Sequence, residues 1–132
     1  MAIYLWIGLG SALGGMARYW SSGLVAVQFG GSLPLGTLFV NVLGSFLIGV
    51  IATLTAPDGR MFVGTEMRQF LMLGILGGYT TFSSFSIQTL DMLRGGEWMR
   101  AGALIVLSVV LCLLAVWLGH AAATGFNQLR GS

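Results

Sequence analysis

Four apolar stretches, roughly residues 3 to 26, 34 to 54, 67 to 93 and 99 to 123, take up most of this 132-residue chain. A helical bilayer crossing needs about 20 mostly apolar residues. Hydrocarbon offers no partner to a backbone amide or carbonyl, so a spanning segment must satisfy those groups internally, as a helix does. The spacing therefore predicts an all-α membrane protein with four transmembrane helices in a single domain over residues 1–132. Charge agrees, since only 8% of the side chains are charged and 56% are hydrophobic, against about a quarter charged in soluble domains. The connectors are residues 27 to 33, the stretch around Pro57-Asp58-Gly59-Arg60, and Arg94-Gly95-Gly96-Glu97; each carries turn residues and none has room for a second domain. The first stretch has no basic lead and no small-residue cleavage site, so it is expected to be a retained helix and not a signal peptide. The final Gly131-Ser132 is expected to be a cloning remnant.

Several function classes drop out. A net charge of +2, scattered along the chain, gives no basic patch for nucleic acid. Cys112 is the sole cysteine, which excludes an intrachain disulfide and most metal clusters; it reads as filler. His120 has no second histidine to join it as a ligand and is expected to pack near a membrane interface. No nucleophile, base and metal set is present, so an enzyme is not expected.

The six basic residues are all arginines. With four crossings, Arg60, Arg68 and Arg130 fall on the side of the termini, whereas Arg94 and Arg100 fall on the other, with Arg18 inside the first span toward that side. Orientation follows the excess of basic residues near span ends, and here the two sides nearly balance. A single weak bias and insertion in both orientations, with pairing of inverted copies, both remain open on charge alone. Gly10-x-x-x-Gly14, Gly74-x-x-x-Gly78 and Ser45-x-x-x-Gly49 place small residues one turn apart, which lets helices approach closely, either within one chain or between chains.

The third stretch contains Gly77-Gly78-Tyr79-Thr80-Thr81-Phe82-Ser83-Ser84-Phe85-Ser86. Glycines weaken a helix, and threonine and serine hydroxyls compete for its backbone groups, so a break is expected near residues 77 to 81. Irregular backbone at bilayer depth belongs where it is buried in protein or lines a wet cavity. A continuous helix with packing glycines is the alternative. Phe82 and Phe85, three apart, project from one face if helix resumes, where the positive edges of their rings suit a dehydrated anion; two phenylalanines that pack within the bundle are the alternative. Asn41, near the middle of the second span with Thr37 one turn before it, either ties helices together or lines a pathway. Ser108 extends a polar track or bonds back to its own helix. Arg18, the one charge set well inside a span, either draws anions into a vestibule or snorkels to the interface.

Three segments, Gly14 to Tyr19 (GGMARY), Gly36 to Gly49 (GTLFVNVLGSFLIG) and Gly77 to Ser86 (GGYTTFSSFS), resemble the signatures of the small bacterial fluoride channels of the Fluc, or CrcB, family. The similarity runs over essentially the whole chain. It implies an antiparallel, dual-topology homodimer with two pores in the bacterial inner membrane. Phe82 and Phe85 from opposite subunits line each pore, Asn41 donates to the ion, and Arg18 shapes the vestibule. Hydroxyls of Ser84, Ser108, Thr37 and Thr81 form a polar track. Backbone carbonyls of Gly77 and Thr80 from both subunits hold a structural sodium ion. Gln88 stands where many members carry glutamate.

The expected function is passive export of cytoplasmic fluoride. The partners expected are fluoride, sodium, the lipid bilayer and a second copy of the chain, with no nucleic acid. The rivals are a small dual-topology multidrug transporter, disfavoured because the first span has no buried carboxylate, and a non-transporting assembly subunit, which leaves the broken span, Arg18 and Asn41 unexplained.

Overall fold

The helix ends fall where the backbone changes character. In the computed structural model, which describes residues 1–31 and 33–129, α1 (Ala2–Phe29) stops before Gly30 and α2 (Leu35–Leu54) starts after Pro34. A connector over residues 55–64 leads to α3 (Thr65–Gln69), which continues into a π-helical segment (Phe70–Leu76) and a short α4 (Gly77–Tyr79). Two non-helical residues follow, then α5 (Phe82–Arg94) and α6 (Trp98–Leu129). The turn between α5 and α6 is closed by Gly96 at φ 77°, with the Glu97 amide donating to the Met92 carbonyl at 2.8 Å and the Gly96 amide to Leu93 at 3.1 Å. This paired pattern caps the end of a helix and needs a residue that tolerates positive φ.

Among the described residues every regular element is a helix, without strands. Leu35–Leu54, Thr65–Arg94 and Trp98–Leu129 are long and apolar enough to cross a membrane, and the chain is a multi-pass membrane protein. The 28-residue α1 is also long enough, but Arg18 and its glycines, serines and amphipathic aromatics dilute its hydropathy below that of the other three. The fourth crossing expected from sequence is therefore not among the helices that qualify by length and apolarity.

Close contacts between small residues hold the helices together inside one chain. α1 lies against the π-helical segment and α4, and α2 lies along α6. A Cβ on Gly10 would sit 2.8 Å from the Gly74 Cα, and one on Gly78 would sit 2.6 Å from the Ser11 carbonyl. A Cβ on Gly49 or Gly119 would likewise run into backbone, at Val116 and Phe46 respectively. All three small-residue pairs thus have partners within the chain. Between α2 and α6, Thr53 Oγ1 donates to the Gly49 carbonyl at 2.8 Å and sits 2.8 Å from His120 Nδ1. A hydroxyl has one hydrogen, so His120 Nδ1 is the donor in the second bond.

The connector closes the end of the molecule that holds Arg60 and Arg68. The Arg60 amide donates to Asn127 Oδ1 at 3.2 Å, and its guanidinium lies 5.3 Å from the Phe126 ring centroid. Arg94 and Arg100 lie at the opposite ends of α5 and α6, where Arg100 pairs with Glu97 at 2.9 Å. Arg130, counted in the orientation balance, and the terminal Gly131-Ser132 lie outside the described residues.

Candidate functional site

Extended backbone at Thr80 (φ −82°, ψ 159°) and Thr81 (φ −152°, ψ 106°) separates α4 from α5. Asn41 on α2 braces this stretch with both ends of its amide: the Thr81 amide donates to Asn41 Oδ1 at 2.7 Å, and Asn41 Nδ2 donates to the Thr81 carbonyl at 3.1 Å. A backbone amide can only donate, so these two bonds fix which way the asparagine points. On the far side, Thr81 Oγ1 accepts from the Ser84 amide at 3.1 Å and donates to Ser84 Oγ at 3.0 Å, which makes Thr81 the N-cap of α5.

These bonds reassign two backbone donors. In an unbroken helix the amides of Thr81 and Ser84 serve the carbonyls four residues earlier, those of Gly77 and Thr80. Here both amides go to side-chain oxygens, so both carbonyls are released from helical bonding. The Thr80 amide still donates to the Leu76 carbonyl at 3.0 Å.

Gly77 and Gly78, expected to unwind, are helical instead; Gly77 has φ −63° and ψ −35°. The physical reason is packing, since Gly78 faces the α1 backbone at Ser11 with no space for a methyl group. The glycine that serves the extended stretch is Gly44, one turn after Asn41, where a Cβ would collide with Thr80 Cγ2.

A cavity of about 560 Å³ opens beside this stretch. Asn41 and Gly44 of α2, Thr80 and Thr81, Phe82 and Phe85 of α5, and Ser108 of α6 all line it. The two phenylalanine rings lie 5.3 Å apart between centroids, tilted by 52°, and Phe82 is 79% exposed. Among the described residues Ser108 Oγ has no hydrogen-bond partner, so its hydroxyl is not bonded back to its helix. The N-terminus of α5 also borders the cavity. Its first amides have no helical acceptor, and the helix dipole places partial positive charge there. The wall is otherwise apolar, with a few directed donors and no full charge.

Other sequence-predicted residues lie elsewhere. Thr37 is buried and lines a second cavity of about 480 Å³, together with Gln88, Tyr19 and Ser22. Ser84 is engaged by Thr81. Arg18 is half-exposed on α1 and borders neither cavity. Sequence reasoning passed over Gly44, whose three-residue offset from Asn41 places it on the same helix face, and treated Cys112, which lines the first cavity, as filler. It also did not reveal that Gln88 Oε1 is buried without a partner.

The sequence model of the family described as CrcB-like protein, Camphor Resistance (CrcB), matches residues 5–120. Among curated relatives, the fluoride-specific ion channel FluC of Opitutus terrae is 62% identical over 132 residues, covering 100% of both chains. The protein of the same name in Methylocella silvestris is 59% identical over 129 residues, 98% of each chain, and that of Rhodospirillum rubrum is 54% identical over 125 residues, 95% of this chain and 97% of its own. Matched over nearly its whole length by that model and by full-length relatives, the chain belongs to the CrcB family.

Proposed function

We propose that the protein is a passive, fluoride-selective channel that exports cytoplasmic fluoride across the bacterial inner membrane, and not an enzyme. The observation that carries the reading is the meeting of Asn41, Phe82, Phe85 and Ser108, from three different helices, on one cavity at the interrupted third span, in a chain whose full-length relatives are named fluoride-specific channels. A dehydrated anion in that space meets positive ring edges, one remaining Asn41 N–H, the Ser108 hydroxyl and the N-terminal end of α5. None of these is a full positive charge that would hold the ion too tightly to leave.

The driving force needs no nucleotide. Hydrogen fluoride enters as a neutral weak acid and dissociates in the less acidic cytoplasm, and the negative-inside potential then drives the anion out with about 2.3 kcal/mol per charge per 100 mV. The rival drug-transporter reading lacks a buried carboxylate among the described residues: Glu66 and Asp91, the two acids within Thr65–Arg94, are both exposed.

The working unit in this reading is an antiparallel dimer in which α1 is the fourth crossing and each of two pores takes Phe82 from one copy and Phe85 from the other. What supports a dimer is that the cavity is open on one side in a single chain, with Phe82 mostly uncovered. Thr81 continues the polar lining beside the rings, and Arg18 shapes the vestibule. The released carbonyls of Gly77 and Thr80 suit a small monovalent cation, and two copies supply four oxygens. Sodium bound there would join the two interrupted spans electrostatically without moving along the anion path.

Exchanging Phe82 or Phe85 for isoleucine keeps bulk and removes the ring edge. Fluoride flux through folded Phe82→Ile or Phe85→Ile protein in liposomes is expected to fall at least about tenfold, the equivalent of about 1.4 kcal/mol. Undiminished flux in both would refute the pore assignment.

A further inference from the structure

The connector end of the molecule holds a pocket unrelated to the anion cavity. It has a volume of about 340 Å³ and is lined by Thr55, Met61, Phe62, Arg68 and Gln69 among others. Thr55 directly follows the last residue of α2, and Arg68 lies near the beginning of the third span. Both residues therefore sit at the ends of membrane-spanning helices, at the depth of lipid headgroups.

Arg68 is held in a fixed attitude there. Its Nε donates to Thr55 Oγ1 at 3.1 Å, and the single hydrogen of Thr55 is occupied by the Ile51 carbonyl at 2.6 Å. Thr55 is buried, at 9% exposure, so the anchor is shielded from water. Among the described residues, the two terminal nitrogens of Arg68 have no acceptor, and neither Asp58 nor Glu66 is within ion-pair distance. A planar fork of free donors next to a pocket matches a phosphate group. Phe62 beside it is 97% exposed and Met61 is 48% exposed. At an interface these two side chains face acyl chains, and no free phosphate ion would engage them.

We infer that this pocket binds the headgroup of an anionic phospholipid, with Arg68 gripping the phosphate and Phe62 and Met61 packing on the upper acyl chain. The site is independent of the fluoride pathway. Basic pockets between membrane helices are known generically to take acidic headgroups, and here the anchored guanidinium supplies the directional part.

The test is native mass spectrometry of the full chain in micelles doped with equal phosphatidylglycerol and phosphatidylcholine of matched acyl chains. The wild type is expected to retain phosphatidylglycerol about tenfold over phosphatidylcholine, as one charge-assisted contact allows. Arg68→Gln should abolish that preference, while Arg94→Gln, at the opposite end, should leave it intact. Phe62→Ser should lower retention of both lipids with the preference kept; because Phe62 is almost wholly exposed, this variant reads the site even where Arg68→Gln does not fold. Millimolar inorganic phosphate is expected to displace none of the bound phosphatidylglycerol. Equal retention of the two lipids by the wild type, a preference that survives Arg68→Gln, retention untouched by Phe62→Ser, or displacement by phosphate alone would each overturn the assignment.

Discussion

Asn41 performs two tasks that look like alternatives in the sequence. A mid-span asparagine reads either as a tie between helices or as a lining donor; its amide makes two bonds to the Thr81 backbone and still borders the cavity, because the Nδ2 group carries two hydrogens and the tie uses one. Asn41→Asp keeps the acceptor for the Thr81 amide and removes both donors. The orphaned Thr81 carbonyl is expected to lower stability by about 1–3 kcal/mol, read from thermal unfolding in detergent. If the proposed pore passes the anion beside this residue, an ionised carboxylate would add about 4 kcal/mol of repulsion at a separation of about 4 Å and an effective dielectric constant near 20, so fluoride flux is expected to fall more than a hundredfold. Normal flux in the folded variant would reduce Asn41 to a tie. That Phe82 and Phe85 share a face was legible from their spacing, and both line the cavity; a pore role for them came from the resemblance alone, and Thr37 and Ser84 were not separable from them by residue type. Which face of a helix meets which cavity depends on how α2 and α5 rotate against their neighbours, and hydroxyl residues occur on both faces.

At the scale of elements, the two extended residues between α4 and α5 show where glycine misleads. Glycine serves unwinding and close packing equally well, and nothing local to Gly77-Gly78 separates the two uses; the partner that settles it, Ser11 on α1, lies more than sixty residues away in sequence. The threonines carried the clearer signal, since Thr81 caps α5 through its own side chain. Adjacent glycines on α1 separate packing from propensity directly. A Cβ on Gly14 collides with the Ile75 carbonyl, whereas one on Gly15 meets nothing within 4 Å. Gly14→Ala is expected to destabilise by about 1–3 kcal/mol through overpacking. Gly15→Ala is expected to be neutral or to stabilise by up to about 1 kcal/mol through helix propensity. Thermal unfolding of the two variants in the same detergent checks the pair, and equal shifts would contradict the packing assigned to α1. The expected apolar stretch 34 to 54 coincides with the helix Leu35–Leu54. The hydropathy of α1 was the exception, because a helix that packs through glycines gives up apolar side chains.

For the whole molecule, a single chain leaves the Asn41–Phe82 cavity open and its arginines nearly balanced, with Arg60 and Arg68 at one end of the bundle and Arg94 and Arg100 at the other. On the inverted pairing proposed above, so nearly balanced a charge would let the chain insert in either direction. With Cys112 replaced by alanine and a cysteine placed at Asp58, impermeant labelling of intact cells is expected to reach about half of the protein; labelling of all or none would contradict the inverted pair. The function itself rests on one measurement above others. Purified protein in liposomes loaded with potassium fluoride should release fluoride once valinomycin lets potassium leave with it to keep charge balanced, with no nucleotide and no imposed sodium or proton gradient, while matched liposomes loaded with potassium chloride release almost none. Fluoride release no faster than from protein-free liposomes, or equal release of chloride, would contradict a fluoride-selective channel.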